Sequence, residues 1–208
     1  SYKTQQELWG KFLELRLKRI VKYANIIGSE NCSGDLIFRS KNCLHCYECT
    51  SSEDCRECWT IFEAKDCFNS DYIGTHSTLN FNNISSDTAY RAWFSYFTVT
   101  SNDIEYCELT NFSKNLFGCI GVRHKEFCVL NKQYSKEEFV KLREKIIGHM
   151  KKTGEWGRFF PKQLSTFPYN DSTASVFFPM AKEEALRSGF KWKDEAADLK
   201  PQTYALPD

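Results

Sequence analysis

The sequence predicts a mainly β protein: a short, cysteine-rich β-solenoid of 12-residue repeats, capped by an N-terminal helix and followed by a C-terminal helical and aromatic-Pro arm. Three observations predict it. All ten cysteines of the 208-residue chain fall between Cys32 and Cys128. Within that stretch one dipeptide type recurs: Asn31-Cys32, Asn42-Cys43, Asp54-Cys55 and Asp66-Cys67 follow at steps of 11, 12 and 12 residues. Asp103-Ile104, Asn115-Leu116 and Glu126-Phe127 resume it at steps of 12 and 11, after a gap that fits three repeats plus one residue. Self-similarity at a short fixed period marks a solenoid, because each repeat must stack on its neighbours to bury a core.

Aligned repeats give columns. Behind each Asn or Asp stands Cys32, Cys43, Cys55, Cys67, Ile104, Leu116 or Phe127. Three residues on come Asp35, Cys46, Cys58, Ser70, Cys107 and Cys119, mostly small. Three further on are Phe38, Cys49, Ile61, Ile73, Thr110 and Val122, mostly β-branched or apolar. Such columns read as short strands with inward side chains. The Asn/Asp column reads as a turn that tolerates left-handed backbone. A 12-residue coil has little room inside for groups as large as Phe38, Trp59, Tyr72, Phe117 and Phe127. The expectation is therefore two repeats per coil of about 24 residues, stacking Cys32 near Cys55 and Cys43 near Cys67, with roughly four coils about 4.8 Å apart. Residues 79 to 97 carry only a degraded repeat.

The flanks divide the chain into residues 1–30, 31–131, 132–192 and 193–208. In the first, Thr4 to about Ala24 reads as a capping helix, with Thr4 and Glu7 as a capping box and Leu8, Phe12, Leu15, Ile20 and Tyr23 as its apolar stripe. After the repeats, Ser135 and Glu138 open a second helix whose stripe is Phe139, Leu142, Ile146 and Met150. Phe167-Pro168-Tyr169 and Phe177-Phe178-Pro179 suggest an extended arm, and a short helix from about Lys182 to Ser188 ends at Gly189. Residues 193–208 read as a linker-like tail.

The net charge is +1, which argues against duplex DNA or an anionic membrane as the dominant partner. No apolar run is long enough to span a bilayer and no signal peptide is visible, so a cytoplasmic, reduced setting is expected. Asn-x-Ser sequons at Asn31, Asn83, Asn111 and Asn170 arise readily in a chain this rich in Asn and Ser.

Cys43, Cys46 and Cys49 form C-x-x-C-x-x-C, and Cys55 and Cys58 add a second pair. Thiolates at that spacing are a zinc signal, with His45 and His76 available to complete a site. The two pairs stand closer together than in a zinc ribbon, and the repeat itself places small residues three apart. Packing thiols are therefore the leading reading, with zinc and a disulfide ladder as alternatives, and no cofactor other than zinc is indicated.

No catalytic motif stands out. Cys46 with His45, or Cys119 with His124, could be nominated as nucleophile and base, and Asp54, Asp66 and Asp103 as an acidic array for a hydrolase or lyase. The leading reading is a non-catalytic binding or scaffold module offering a rigid solenoid face to a macromolecular partner. The outward Arg39, Glu48, Arg56, Glu57, Glu105 and Glu108 are mixed in charge, which favours a protein. The runner-up is nucleic-acid contact through Lys11, Arg16, Lys18, Arg19 and Lys22 of the N-terminal helix.

The strings Ser113-Lys114-Asn115-Leu116-Phe117-Gly118-Cys119, Asn131 to Glu138, Lys151 to Gly157 and Lys182 to Leu186, with the Asn-Cys repeats upstream, resemble a family of cysteine-rich repeat proteins encoded mainly by uncultivated small-genome bacteria. Many members continue into a C-terminal zinc ribbon. The resemblance implies a repeat module without that ribbon and brings neither an activity nor site residues.

Overall fold

The computed structural model describes residues 2–194. Residues 24–160 form one compact unit, and residues up to 23 together with those from 161 onward form another.

The first unit is a β-solenoid of about nine coils. Its strands are β1 (Ile26–Ile27), β2 (Gly34–Phe38), β3 (Cys46–Thr50), β4 (Trp59–Phe62), β5 (Asp71–Ile73), β6 (Ile84–Asp87), β7 (Tyr90–Trp93), β8 (Tyr96–Val99), β9 (Asn102–Glu105), β10 (Glu108–Asn111), β11 (Lys114–Phe117), β12 (Glu126–Val129) and β13 (Lys132–Gln133). One parallel sheet runs β1-β2-β3-β4-β5-β6-β8-β10, and the other runs β13-β12-β11-β9-β7, its final β12–β13 pair antiparallel.

The register corrects the expected coil width. Gly34 pairs with Cys46, Tyr47 with Trp59 and Lys114 with Glu126, so a coil is 12 residues, not 24. Cys43 therefore stacks on Cys55, and the coils number about twice the expected four. The large residues that argued for a wide coil do not lie inside it. Trp59 and Tyr72 point to solvent, while Phe117 and Phe127 pack in the cluster around Phe139.

A narrow coil is possible because the backbone turns at every third residue. Leu36, Arg39, Asn42, His45, Glu48, Ser51 and their successors all have φ near +50°. The left-handed turn anticipated for the Asn/Asp column is thus only one of four corners. Each side of the coil holds an inward residue, an outward residue and a left-handed corner. One inward row is Cys43, Cys55, Cys67, Asn80, Ala92, Ile104, Leu116 and Cys128, which replaces the expected Phe127 by its neighbour. A second is Cys46, Cys58, Ser70, Asn83, Ser95, Cys107 and Cys119, and a third is Ile37, Cys49, Ile61, Ile73, Ser86, Thr98, Thr110 and Val122. Asp35 and Phe38 accordingly fall outside the columns assigned to them. The fourth row, Ser40, Ser52, Ala64, Ser77, Ala89, Ser101 and Ser113, was not recognised from the sequence.

Inward Ser and Cys have a specific task. Outward and corner N–H groups donate along the coil-to-coil backbone ladder, as Leu44 N does to Cys55 O and Asp54 N to Lys41 O. The inward N–H takes the inward side chain one coil back. Ser52 N donates to Ser40 Oγ at 3.2 Å, Ala64 N to Ser52 Oγ at 3.2 Å, and Cys107 N to Ser95 Oγ at 3.1 Å. Cys119 N uses Cys107 Sγ in the same way, at 3.3 Å. Each hydroxyl then donates to the carbonyl two residues before it, as Ser52 Oγ does to Thr50 O. A buried N–H without an acceptor is costly, so small acceptor-bearing residues suit these rows.

Residues 79 to 97 prove to be ordinary coils with a polar interior. Asn83 Nδ2 donates to Ser86 Oγ at 2.7 Å, and Ser86 and Thr98 share a hydroxyl bond at 2.7 Å. The repeat looked degraded there because amides and hydroxyls replace thiols. The extra residue of the long gap is taken up between Ile73 and Ser77, where pairing steps by 13 (Ile73 with Ser86). Gly74 sits at that bulge, where a Cβ would lie 2.4 Å from Asp87 Oδ1 and would push that carboxylate aside. Asn83 is fully buried, so its sequon is closed to modification in the folded chain.

α2 (Lys136–Thr153) opens with the expected Ser135/Glu138 capping box and closes at left-handed Gly154. Its Phe139, Leu142, Ile146, Ile147 and Met150 pack with Trp156 and Phe160 over Phe94, Tyr106, Phe117 and Val129. Arg143 fastens the helix further, binding buried Glu105 through Nε at 2.6 Å and Nη2 at 2.5 Å. Glu105 is thus not the outward surface residue expected of it.

In the second unit, α1 (Tyr2–Lys18) begins before Thr4 and stops short of Ala24. The like charges of Arg16, Lys18 and Arg19 and the β-branched Ile20-Val21 pair disfavour continuation. The segment from Pro161 is not extended. It makes 3-10 turns at Lys162–Leu164 and Tyr169–Asp171, then α3 (Ala174–Phe177) and α4 (Lys182–Arg187), with Gly189 left-handed. Buried Tyr169 packs on Phe190 at 4.8 Å between ring centres, and its hydroxyl bonds Phe178 O. The linker-like tail lies, from residue 195 onward, outside the described residues.

Ser52→Ala removes the acceptor of Ala64 N–H and should cost about 1–3 kcal/mol, whereas Ser52→Cys keeps an acceptor and should cost less; urea midpoints check both. Arg143→Ala leaves a buried carboxylate without its partner and should lower the midpoint by about 1–3 kcal/mol, with faster amide exchange in α2 than in β2–β5.

Candidate functional site

The five expected metal ligands, Cys43, Cys46, Cys49, Cys55 and Cys58, are brought together inside the coils, each at most 1 % exposed. Four of the sulfurs bond to backbone carbonyls, Cys43 Sγ to Lys41 O at 3.4 Å, Cys46 Sγ to Leu44 O at 3.5 Å, and Cys55 Sγ to Glu53 O and Cys58 Sγ to Arg56 O, both at 3.2 Å, while Cys49 Sγ donates to Ser40 Oγ at 3.4 Å. All ten thiols are unpaired as disulfides. Among the described residues no three His, Cys, Asp or Glu side chains converge in a metal-holding arrangement. His45 and His76 are corner residues with outward, exposed side chains.

The Cys43, Cys46 and Cys49 thiols are held protonated. The hydrogen bond with Cys46, reinforced by Cys55 and burial, pushes the Cys43 thiol far up. Cys49 rises through its bond with Cys43 and through burial. Cys46 is drawn down by Cys43 but lifted more by Cys58 and burial, to about 12. Farther along, burial lifts Cys107, while the bond from Cys107 brings its neighbour Cys119 down to about 7. Thiolate is the nucleophile and metal ligand, so the Cys43–Cys49 cluster sits in its unreactive form.

The nominated catalytic pairs do not form. Cys46 points into the coil while the adjacent corner residue His45 points out. Cys119 is likewise inside, and His124 stacks outside on Phe112 at 5.1 Å. Asp54 accepts from Asn42 Nδ2 at 2.8 Å, Asp66 is exposed, and Asp103 pairs with Arg91 at 2.9 Å. Near the last, a cleft of about 130 Å³ is lined by Arg91, Trp93, Asp103, Glu105, Phe139 and Arg143. Its two cations and two carboxylates neutralise one another through the Arg91–Asp103 and Arg143–Glu105 pairs.

Outside, the coil sides differ. One side is a charge ladder, with Lys41 to Glu30 at 3.6 Å, Lys65 to Glu53 at 3.1 Å and Lys114 to Glu126 at 2.8 Å. A second carries aromatic rings, Phe94, Tyr106 and Phe117, packed with α2. A third is different in kind. Its outward row is Asp35, Tyr47, Trp59, Asp71, Ile84, Tyr96, Glu108 and Ile120, in register from coil to coil. Its corner row is Leu36, Glu48, Thr60, Tyr72, Ser85, Phe97 and Leu109. Tyr47, Trp59, Tyr72, Tyr96 and Phe97 are all exposed. A depression of about 440 Å³ lies among Asp35, Leu36, Tyr47, Glu48 and Trp59.

Of the expected surface residues, Glu48 and Glu108 belong to this face; Arg39, Arg56 and Glu57 are outward elsewhere. Lys11, Arg16 and Lys18 lie on α1, with Arg19 and Lys22 beyond its end. The aromatic face escaped sequence reasoning. Its signal was present, as Tyr47, Trp59 and Tyr96 each stand one residue beyond the small inward column.

Comparisons with protein families, curated proteins and solved structures give no match to this chain.

The thiols yield a pH prediction. For Cys43, Cys46, Cys49 and Cys55 the folded values lie above the unfolded value, so their contribution to stability is complete below about pH 8.5 and is lost as pH rises through the folded values. Urea midpoints should hold steady from about pH 7 to 8.5 and fall between about 9 and 12. Replacing Cys43, Cys46 and Cys49 by Ser should flatten that fall; an unchanged slope would assign it to other groups.

Proposed function

We propose that the chain is a non-catalytic binding or scaffold module whose solenoid holds a protein partner on its aromatic side. The observation that carries this reading is the row of exposed rings, Tyr47, Trp59, Tyr72, Tyr96 and Phe97, on a straight parallel ladder. Of the other three sides, one carries paired charges and one receives α2; the fourth carries exposed Phe62 and Phe112, with Arg123 over the Phe112 ring. Contiguous exposed apolar surface is a mark of interaction sites, and aromatic residues dominate the energetics of such sites. Stacked coils fix the rings at a spacing of about 4.8 Å, so little side-chain order remains to be imposed on binding. The separation of Cys46 from His45 and of Cys119 from His124 supports a non-catalytic role. The packed thiols fit a structural part for the cysteines. Membership in the cysteine-rich repeat family, with a zinc ribbon as working neighbour, rests on the motif strings and belongs to the same reading.

A photo-crosslinking residue placed at Tyr47 should capture a discrete polypeptide in cells, while the same residue at Lys65, on the charge ladder, should not. Equal labelling at both positions would remove the aromatic side from consideration. A salt-sensitive shift of single- or double-stranded nucleic acid, abolished by replacing Lys11, Arg16, Lys18, Arg19 and Lys22, would instead support the nucleic-acid reading.

A further inference from the structure

We infer that the aromatic side takes a cationic, extended polypeptide segment, a stretch rich in arginine or lysine laid along the coils. The inference deepens the binding-module reading and rests on it.

The charge on this side is of one sign. The outward and corner rows of this side hold Asp35, Glu48, Asp71 and Glu108 and not one Lys or Arg. None of these four carboxylates enters a salt bridge among the described residues; Asp54, Glu57, Asp66 and Asp87 form none either, but they stand on sides whose rows also hold Lys or Arg. Glu30, Glu53 and Glu126 of the charge ladder each face a lysine one coil away. The same 12-residue stacking would have neutralised the aromatic side had lysines occupied its rows. Instead, rings stand between the acids: Tyr47 next to Glu48, Trp59 and Tyr72 beside Asp71, Tyr96 one coil from Glu108.

Rings alternating with carboxylates complement guanidinium and ammonium groups, which stack on ring faces while hydrogen-bonding to acids. Glu48 accepts a bond from Thr60 Oγ1 at 2.9 Å, which orients its carboxylate beside Trp59. Half-buried Asp71 has its carboxyl raised by burial, a disadvantage that an arriving cation would relieve. The eight positions from Asp35 to Ile120 span about 34 Å, the length of an extended strand of about ten residues. A phosphate-bearing chain would meet four negative charges. A neutral sugar could stack on the rings but would leave the acids unmatched.

The test uses the full chain and a fluorescein-labelled ten-residue peptide of alternating Arg and Ser, read by anisotropy. The expected result is binding that weakens as salt rises from 50 to 500 mM, and that falls about tenfold in Trp59→Ala and in Glu48→Gln. Lys65→Ala, on the charge ladder, should leave it unchanged, and a Glu/Ser peptide should not bind. Amide exchange shows that each variant is folded. Binding that is indifferent to Trp59→Ala and Glu48→Gln would overturn the inference, as would saturable binding of a neutral β-linked oligosaccharide that displaces the peptide. If the cationic peptide does not bind but the crosslinker at Tyr47 still captures a polypeptide, the charge inference fails and the binding-module reading stands. Failure of both removes both.

Discussion

The left-handed corner at every third residue is the constraint on which the solenoid depends. An L residue in that conformation costs roughly 1–2 kcal/mol relative to right-handed backbone. The chain nevertheless adopts it at bulky positions such as Leu36, Tyr72, Phe94 and Phe97. It does so because each corner turns the chain enough for 12 residues to close a coil, and closing the coil pairs outward and corner backbone groups with the coils above and below. One donor per side is left, the inward N–H. Where an interior row carries Ser, Cys or Asn, that side chain supplies its acceptor, so the core is a hydrogen-bonded stack as much as an apolar one. This explains why thiols and hydroxyls exchange along the same row, as Cys58 gives way to Ser70, Asn83 and Ser95.

The same geometry decides what faces outward. Residues 12 apart stand one above another, and any residue type repeated at that interval becomes a ladder. Lysines and glutamates alternate on one side and neutralise each other. Aromatic rings repeat on another side and receive α2, locked in place by Arg143 on Glu105. Rings and unpaired acids repeat on a third. The functional reading follows from this division, because the third side combines a series of five exposed rings with carboxylates and holds no Lys or Arg in its rows.

The cysteines belong to the interior and not to that face. Their clustering in C-x-x-C pairs comes from two adjacent inward rows that both admit a small, weakly hydrogen-bonding residue. Within the coil, bonds to neighbouring thiols and burial keep the Cys43–Cys46–Cys49 cluster protonated. Stability should therefore respond to alkaline pH, and reactivity toward thiol reagents should require unfolding.

The sequence by itself determined that the chain is a cysteine-rich solenoid, because a repeat interval is a local property that survives in one dimension. It determined the α2 capping box at Ser135 and Glu138 and the Gly189 stop for the same reason: caps are set by neighbours in the chain. It also placed the extra residue of the long gap, though not the bulge at Gly74 that absorbs it. Coil width, and with it the partner of each cysteine, was decided only by the tertiary structure. Trp59, Tyr72 and Phe117 are large wherever they point, and nothing local says whether a corner turns them out. The Glu105–Arg143 pair joins residues 38 positions apart, and the aromatic side exists only once Tyr47, Trp59 and Tyr96 are stacked. Contacts of that kind depend on where the coils return, which is fixed by closure of the whole turn and not by any one stretch of sequence.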